Sequence, residues 1–301
     1  MDNFVNLHSH TESSLQDSII RIPDLVKKVE EYGQSAVAVT DHSSVASWLD
    51  LSRECKDTNI KPIFGNEFYC SKTYEEKSRD RDHLVLLAMN HNGLVNIRRF
   101  QRIAVENFYY KPILSYKAIE ELPHDGIYCT SACALGTIAK NIRDENIQGA
   151  IDCAEYFNNL FDGNFALELQ FHPDFDEQSI INEKLVEISD KLDIPLTVSC
   201  DSHFVDENDR DLRRIVQAIS WHKSYEEIEE SLKSNCIGNS ELVKRFAIES
   251  DFPYMHVVGD AIKQTNKIAS ICNAELEVPE RRIPVFDKHK DLKDLFEAIE
   301  W

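Results

Sequence analysis

The chain has 301 residues, of which 42% are hydrophobic and 29% charged, an ordinary composition for a globular protein with a sizeable core. Its formal net charge of −20 argues against a protein that coats nucleic acid, but leaves open an enzyme that reaches a phosphate ester through bound cations. No apolar run could span a membrane and the polar start is no signal peptide, so we expect a cytoplasmic protein without membrane contact.

The first predicted element is a strand that runs out of the N-terminus and ends in His8 and His10. Two histidines spaced two residues apart leave the same face of an extended segment, which is how a backbone presents two nitrogen ligands to one metal ion. An isolated pair of this kind is equally typical of surface histidines at a strand end. The rest of the chain has to decide between the two interpretations.

Alternating strands and helices follow. Apolar spacing predicts a helix over 23–32, a strand over 36–40, a helix over 45–58 and a strand over 61–69. This order is typical of parallel βαβ units. Asp41 and His42 come directly after the strand at 36–40, and Glu67 lies near the end of the strand at 61–69.

The pattern changes at residues 70–82, which are polar and lack an apolar stripe, before a strand over 83–89. Without a crossover helix, this strand should run antiparallel to the one before it. Its first residue then lies at the sheet end where the preceding strand finishes. We therefore expect His83 beside Glu67.

Further strands are predicted over 127–131, 165–169 and 195–200, with helices over 94–107, 147–161 and 178–192. The helix at 94–107 carries a basic cluster of Arg98, Arg99 and Arg102, most simply a solvated face, with phosphate contact as the alternative. Helical stretches near 209–221, 239–247 and 256–272 come next, then an irregular link over 279–287 and a helical piece ending at Trp301. The economical interpretation is an α/β barrel over residues 1–222 with a helical C-terminal extension over 223–301.

Most of the candidate metal ligands fall at or near strand ends. In a barrel the carboxyl ends of the strands converge on one face, where active sites are built. These candidates are His8, His10, Asp17, His42, Glu67, His83, Cys133, Asp201 and His203. Imidazole, carboxylate and one thiolate suit zinc, manganese or iron better than magnesium, and nine ligands indicate two or three ions that share a carboxylate. The other seven cysteines are interpreted as reduced core residues.

The segments HSHTESSLQD, AVTDHSS, IKPIFGNEFY, HLVLLAMNHNGL, TSACALG and VSCDSHF resemble, in order, the motifs of the PHP (polymerase and histidinol phosphatase) superfamily. The likeness is greatest to the N-terminal PHP domain of bacterial replicative polymerase alpha subunits, and it covers nearly the whole chain. It implies a distorted seven-stranded β/α barrel with a trinuclear site, in which all nine ligand positions are filled. The chain stops where a polymerase would begin its palm, so we expect a free-standing PHP protein or a fragment.

The resemblance also implies how the ligands are shared. It assigns three groups: His8, His10, Glu67 and Asp201; Glu67, His83 and Cys133; and Asp17, His42 and His203. Asp41 is expected to orient a ligand from behind. The implied activity is metal-dependent phosphodiester hydrolysis, most simply a 3′–5′ exonuclease on DNA, with Arg98, Arg99, Arg102 and Lys111 as weak candidates for holding the substrate backbone.

Two other functions stay open. The first is a phosphatase on a small phosphomonoester such as histidinol phosphate, which would use the same metals. The second is a non-catalytic, metal-stabilised module that docks a polymerase or proofreading subunit. A complete ligand set counts against the second, because a structural metal site does not need an open trinuclear centre.

Overall fold

The computed structural model describes residues 2–73, 80–229 and 231–276. Seven strands form one curled sheet in this part of the chain. They are β1 (Ala36–Val39), β2 (Lys61–Ser71), β3 (Asp82–Ala88), β4 (Leu114–Ser115), β5 (Ile127–Thr130), β6 (Phe165–Gln170) and β7 (Leu196–Ser199). The path runs β1-β2-β3-β5-β6-β7, with β4 paired to the end of β2. The predicted mixed α/β barrel is thus confirmed.

Ten helices surround the sheet in the described residues. They are α1 (Ile22–Glu31), α2 (Trp48–Cys55), α3 (His91–Glu106), α4 (Tyr116–Glu121), α5 (Thr137–Arg143), α6 (Ile147–Leu160), α7 (Asp176–Leu192), α8 (Arg210–Trp221), α9 (Ser240–Glu249) and α10 (Met255–Ile271). The helix α1 shows why the periodic pattern works, because Leu25, Val26 and Val29 lie on one face and are buried against the sheet. No helix in the described ranges is both long and apolar enough to cross a membrane.

The strand β3 runs antiparallel to β2, as predicted, with Glu67 opposite Val85 and Tyr69 opposite His83. The strand β5 in turn runs antiparallel to β3, whereas the pairs β1–β2, β2–β4, β5–β6 and β6–β7 are parallel. Because of the antiparallel return, the start of β3 and the end of β2 share one rim of the barrel. This geometry positions His83 for the site.

The prediction of a first regular strand at the N-terminus is wrong. Residues 4–10 are extended, but they make only single bridges, from Asn6 to Val37 on β1 and from Ser9 to Ser202 after β7. The segment changes partner halfway along, so no continuous ladder forms on either side. Its backbone nevertheless closes the barrel, because His10 N donates to Ser202 O at 2.8 Å and Ala38 N to Asn6 O at 2.8 Å.

The barrel interior is filled from two sources. Small and branched side chains of the strands, including Ala38, Ile63 and Val85, point inward and form one buried cluster. Ile268 and Ala269 of α10 belong to the same cluster. The described part of the predicted extension therefore packs on the barrel, whereas the boundary at 222/223 stays a prediction. The predicted irregular link over 279–287 and the helical piece ending at Trp301 lie outside the described residues.

Candidate metal centre

The nine predicted ligands come together at one rim of the barrel. His8 and His10 arrive on the closing segment, His42 follows β1, Glu67 lies in β2, and His83 is the second residue of β3. Cys133 follows β5, and Asp201 and His203 follow β7. Asp17 comes from the loop after the closing segment. Because parallel strands end at the same rim, side chains far apart in sequence reach one another.

Glu67 is the centre of this cluster and is almost fully buried. Its carboxylate oxygens lie 3.4 Å from His8 Nε2 and 3.2 Å from His10 Nε2. They also lie 2.9 Å from His42 Nδ1 and 3.0 Å from His83 Nδ1. One carboxylate thus faces four imidazoles, which is the geometry expected of a shared ligand.

The first predicted ligand group is assembled. His8, His10 and Asp201 place one ligand atom each within 4.8 Å of the others. Asp201 Oδ1 lies 3.3 Å from His8 Nε2 and 3.2 Å from His10 Nε2. Glu67 completes the group from the other side.

The second and third groups are assembled as well. Cys133 Sγ lies 3.4 Å from His83 Nδ1 and 3.8 Å from Glu67 Oε1. Asp17 Oδ2 lies 3.1 Å from the Nε2 atoms of both His42 and His203. The structure also brings His42 close to Glu67 and His83, and His10 close to His42 and His203. The division of nine ligands among individual ions stays a prediction.

The donor atoms fit cations rather than one another. Glu168 accepts the Nδ1 proton of His8 at 2.8 Å, and Ser14 Oγ accepts that of His10 at 3.0 Å while donating to Asp41. When both rings are neutral, as metal-bound imidazoles are, both Nε2 atoms carry lone pairs, yet they lie only 3.2 Å apart. Two facing lone pairs repel unless a cation or a proton lies between them.

Two buried atoms support the same conclusion. Neither His42 Nδ1 nor Asp201 Oδ1 has a hydrogen-bond partner among the described residues. Charged neighbours approach both atoms, but not in hydrogen-bonding geometry. Buried polar atoms without partners are rare in proteins, and coordination of an ion is one of the explanations for them. The residues present therefore fit divalent metal ions.

Burial and charge set the pKa values in the cluster. Burial alone would raise the pKa of Glu67, but His83 and His8 outweigh it and hold that pKa well below its usual value. Burial opposes the charge on His8, but Glu168 and Asp201 outweigh it and raise its pKa well above the usual value. For His42 burial is opposed by Glu67, and the pKa rises to about 10.

The pKa values of Asp17, His203 and Cys133 are shifted for different reasons. Burial would raise the pKa of Asp17, but His203 and Arg213 together lower it well below its usual value. Burial, reinforced by Arg213, lowers the pKa of His203. Burial next to Glu67 raises the pKa of the Cys133 thiol well above its usual value. The thiolate of Cys133 therefore needs a cation beside it, since coordination to a metal deprotonates a thiol outright.

Glu168 is a functional residue that the sequence reasoning missed. It lies in the middle of β6, is 3% exposed, and accepts hydrogen bonds from His8, Thr130, Gln170 and Ser199. Burial would raise its pKa, but His8 and the hydroxyls of Ser199 and Thr130 outweigh burial and hold that pKa below its usual value. The available signal was a carboxylate inside an apolar strand, where a charge is rarely tolerated without partners.

We expect the substitution Glu168→Gln to weaken metal binding about 10- to 100-fold, because an amide neither holds the His8 tautomer as firmly nor supplies charge behind it. Competition with a chromogenic chelator measures this affinity. The matched control is Glu187→Gln, whose carboxylate on α7 is exposed and pairs with Lys184. Equal affinities in all three proteins would contradict the role of Glu168.

Of the four predicted substrate contacts, only Lys111 lies at the ligand cluster. Its Nζ lies 5.3 Å from the ring centroid of Tyr69. The three predicted arginines make hydrogen bonds within α3: Arg98 to Leu94, Arg99 to Asn96 and Arg102 to Glu106. None of them lines the groove at the ligand cluster. Arg213 of α8, which was not predicted, donates to Asp17 at 2.7 Å and does line that groove.

Two adjoining lobes form a groove at the ligand cluster. The first lobe, about 540 Å³, has Gln178, Gln217, Ile228 and Asn235 in its wall. The second lobe, about 600 Å³, is lined by the predicted ligands Asp17, His42 and His83 together with Ser13, Tyr69, Lys111 and Leu135. Both lobes share Cys133, Asp201, His203, Arg213 and Trp221. The second lobe therefore lies over the predicted ligands and the first opens beside it, and each is of a size that holds a small organic group.

An α/β barrel with a cluster of histidine, carboxylate and thiol side chains at one rim is typical of a metal-binding protein. The sequence profile of the PHP domain matches residues 6–172, more than half of the chain. The chain therefore belongs to the PHP domain family. Family and ligand clusters together support the class of metal-dependent phosphoesterases.

The chain is also similar to curated bacterial proteins named DNA polymerase III subunit alpha. It is 32% identical to that of Borreliella burgdorferi, over 90% of this chain and 24% of the relative. The protein of Aquifex aeolicus is likewise 32% identical, over 75% of this chain and 20% of the relative. That of Campylobacter jejuni is 27% identical over 95% and 24%. The chain spans about a quarter of the length of these relatives.

Proposed function

We propose that the protein is a metal-dependent phosphodiesterase that removes nucleotides from the 3′ end of a DNA strand. The observation that carries this proposal is the groove, in which one lobe lies over the ligand cluster and another opens beside it. A phosphodiester has an organic group on both sides of its phosphorus, whereas a phosphomonoester has only one. A lobe in addition to the one over the ligands is therefore better matched to a diester.

The ligand set is proposed to hold up to three divalent ions. His8, His10, Glu67 and Asp201 hold the first, Glu67, His83 and Cys133 the second, and Asp17, His42 and His203 the third. Such ions supply Lewis-acid polarisation of a phosphoryl oxygen and an acidified water at neutral pH. Zinc, manganese or iron suits these donors better than magnesium does.

The chain's own residues orient the ligands and attract the substrate. Glu168 and Ser14 fix the rings of His8 and His10 from behind, and Asp41 acts through Ser14. Lys111 and Arg213 place positive charge beside the ligands, in a chain whose overall charge is −20. A local positive field of this kind is what a strongly acidic protein needs to accept a phosphate backbone.

The choice of DNA rests on the relatives, which are named as subunits of a DNA polymerase. A polymerase or proofreading subunit as a partner of this chain rests on the same names. Strand polarity is part of the proposal, and the test below decides it.

The test uses the full chain loaded separately with zinc and manganese, together with a single strand labelled at its 5′ end. We expect a ladder of products shortened from the 3′ end, with loss of nearly all cleavage in His10→Ala and none in Glu187→Gln. Inorganic phosphate release from histidinol phosphate and from nucleoside monophosphates is measured in parallel. Equal cleavage by the intact protein and His10→Ala, or phosphate release without strand cleavage, would refute the proposal.

A further inference from the structure

We propose that the first lobe is a subsite for the base of the nucleotide being removed. This inference rests on the proposed function, because a diester whose phosphate lies over the ligand cluster in the second lobe has an organic group that can extend into the first. The lobe differs from the second one in its chemistry, and three features of its wall favour a base.

The first feature is an exposed aromatic face. Trp221 is the last residue of α8, remains 56% exposed and stands where the two lobes meet, next to Arg213. Ile228 and Leu232 add apolar surface to the same wall. Bases stack on aromatic side chains whatever their sequence, because every base has a π face. An exposed indole beside a catalytic rim therefore offers a platform for a base.

The second feature is a set of neutral amides with unused atoms. Asn235 Nδ2 donates to the backbone carbonyls of Cys200 and Asp201, at 3.1 and 2.9 Å, so Oδ1 remains available to accept a hydrogen bond. Gln178 is 3% exposed, and its Oε1 has no hydrogen-bond partner among the described residues. Gln217 Oε1 accepts a long hydrogen bond from Ser231 Oγ, at 3.5 Å. Buried acceptors without donors are unfavourable unless a ligand supplies the donor, as the edge of a base does.

The third feature is charge. Glu227 and Glu229 line the first lobe together with Lys223, so its rim is not a basic patch. A second phosphate would meet two carboxylates there. The second lobe contains Lys111, and its two carboxylates, those of Asp17 and Asp201, are predicted metal ligands. The phosphate backbone of the remaining strand is therefore better placed in the second lobe, and the uncharged base in the first.

The experiment compares two strands that differ only at the 3′ terminal residue, which carries either a normal base or an abasic sugar. Both are tested on the intact chain, Trp221→Ala, Trp221→Phe and the control Ile219→Ala. Ile219 lies on the same helix, is 66% exposed, and is not among the residues lining either lobe. A second readout is calorimetric binding of a nucleoside 5′-monophosphate against deoxyribose 5-phosphate, both to the metal-loaded proteins.

We expect Trp221→Ala to lower kcat/KM on the normal strand about tenfold, the usual size of a lost base–aromatic stack, and to leave the abasic strand unchanged. Trp221→Phe should retain most of the activity, and Ile219→Ala all of it. Binding of the nucleoside monophosphate should weaken in parallel, but not that of the sugar phosphate. Equal losses on both strands, or equal binding of both ligands by the intact chain, would overturn the base subsite.

The two proposals can fail separately. Strand cleavage that ignores the terminal base would remove the subsite and leave the phosphodiesterase. Binding of the nucleoside monophosphate that depends on both the base and Trp221, without cleavage of any strand, would remove the phosphodiesterase and leave the subsite.

Discussion

Replacing Glu67 by glutamine should abolish hydrolysis, with a loss of about a thousandfold or more. The carboxylate of Glu67 lies within 3.4 Å of His8 and closer still to His10, His42 and His83, so every predicted ion group borders on it. A glutamine keeps the volume but removes the charge that a bridging ligand supplies. Lewis-acid stabilisation amounts to several kcal/mol, and each 1.36 kcal/mol corresponds to about a tenfold rate.

The measurement combines initial rates on a labelled strand with metal content by mass spectrometry. Glu67→Gln should bind fewer ions than the intact chain, whereas Glu187→Gln should match it in both respects. Circular dichroism separates loss of the site from loss of the fold. A Glu67→Gln protein that is folded, fully loaded and active would show that Glu67 does not bridge the ions.

Much of the fold was predictable because local patterns determined it. The strands β2, β3, β5 and β6 have apolar runs bounded by turn residues, and α1 and α7 have helical apolar spacing. The antiparallel return of β3 followed from the absence of a crossover helix. The short strand Leu114–Ser115 could not be predicted, because two residues carry no period and pair with β2 only through tertiary contact.

The closing segment shows the limit of pattern reasoning. Its apolar alternation predicts a strand, but whether it forms a ladder depends on partners that are not local. The side-chain amide of Asn6 donates to Gln34 and to the backbone carbonyl of Gly238. The bond to Gly238 connects the segment to the C-terminal part of the chain. Ile268 of α10 fills part of the barrel interior, and this contact likewise depends on tertiary packing, which a local sequence pattern does not reveal.

The candidate ligands could be predicted because strand ends are readable and barrels gather them at one rim. The residues behind the ligands were harder to predict. Glu168 reaches His8 across two strands, and Arg213 reaches Asp17 from a helix nearly two hundred residues later in the chain. Neither contact leaves a spacing signal in the sequence. Supporting residues of this kind have to be found in three dimensions.

Removing the metals should lower the melting temperature substantially. His8 and His10 lie on the closing segment, whose backbone makes only single bridges to its neighbours, and they meet Glu67 from β2 and Asp201 from beyond β7. Ions bound by these side chains therefore fasten the segment that completes the barrel. Free metal at about a thousand times its dissociation constant stabilises a fold by about 4 kcal/mol per ion.

For a chain of this size, that stabilisation corresponds to a shift of about 6 °C for each ion lost to a chelator. Differential scanning calorimetry with and without chelator measures it. Glu187→Gln should show the full shift, whereas His10→Ala should show a smaller one, because its first group lacks a ligand. An intact chain that melts at the same temperature with and without metal would mean that the nine side chains do not form a metal centre, since a ligand bound only by the folded state must raise its stability.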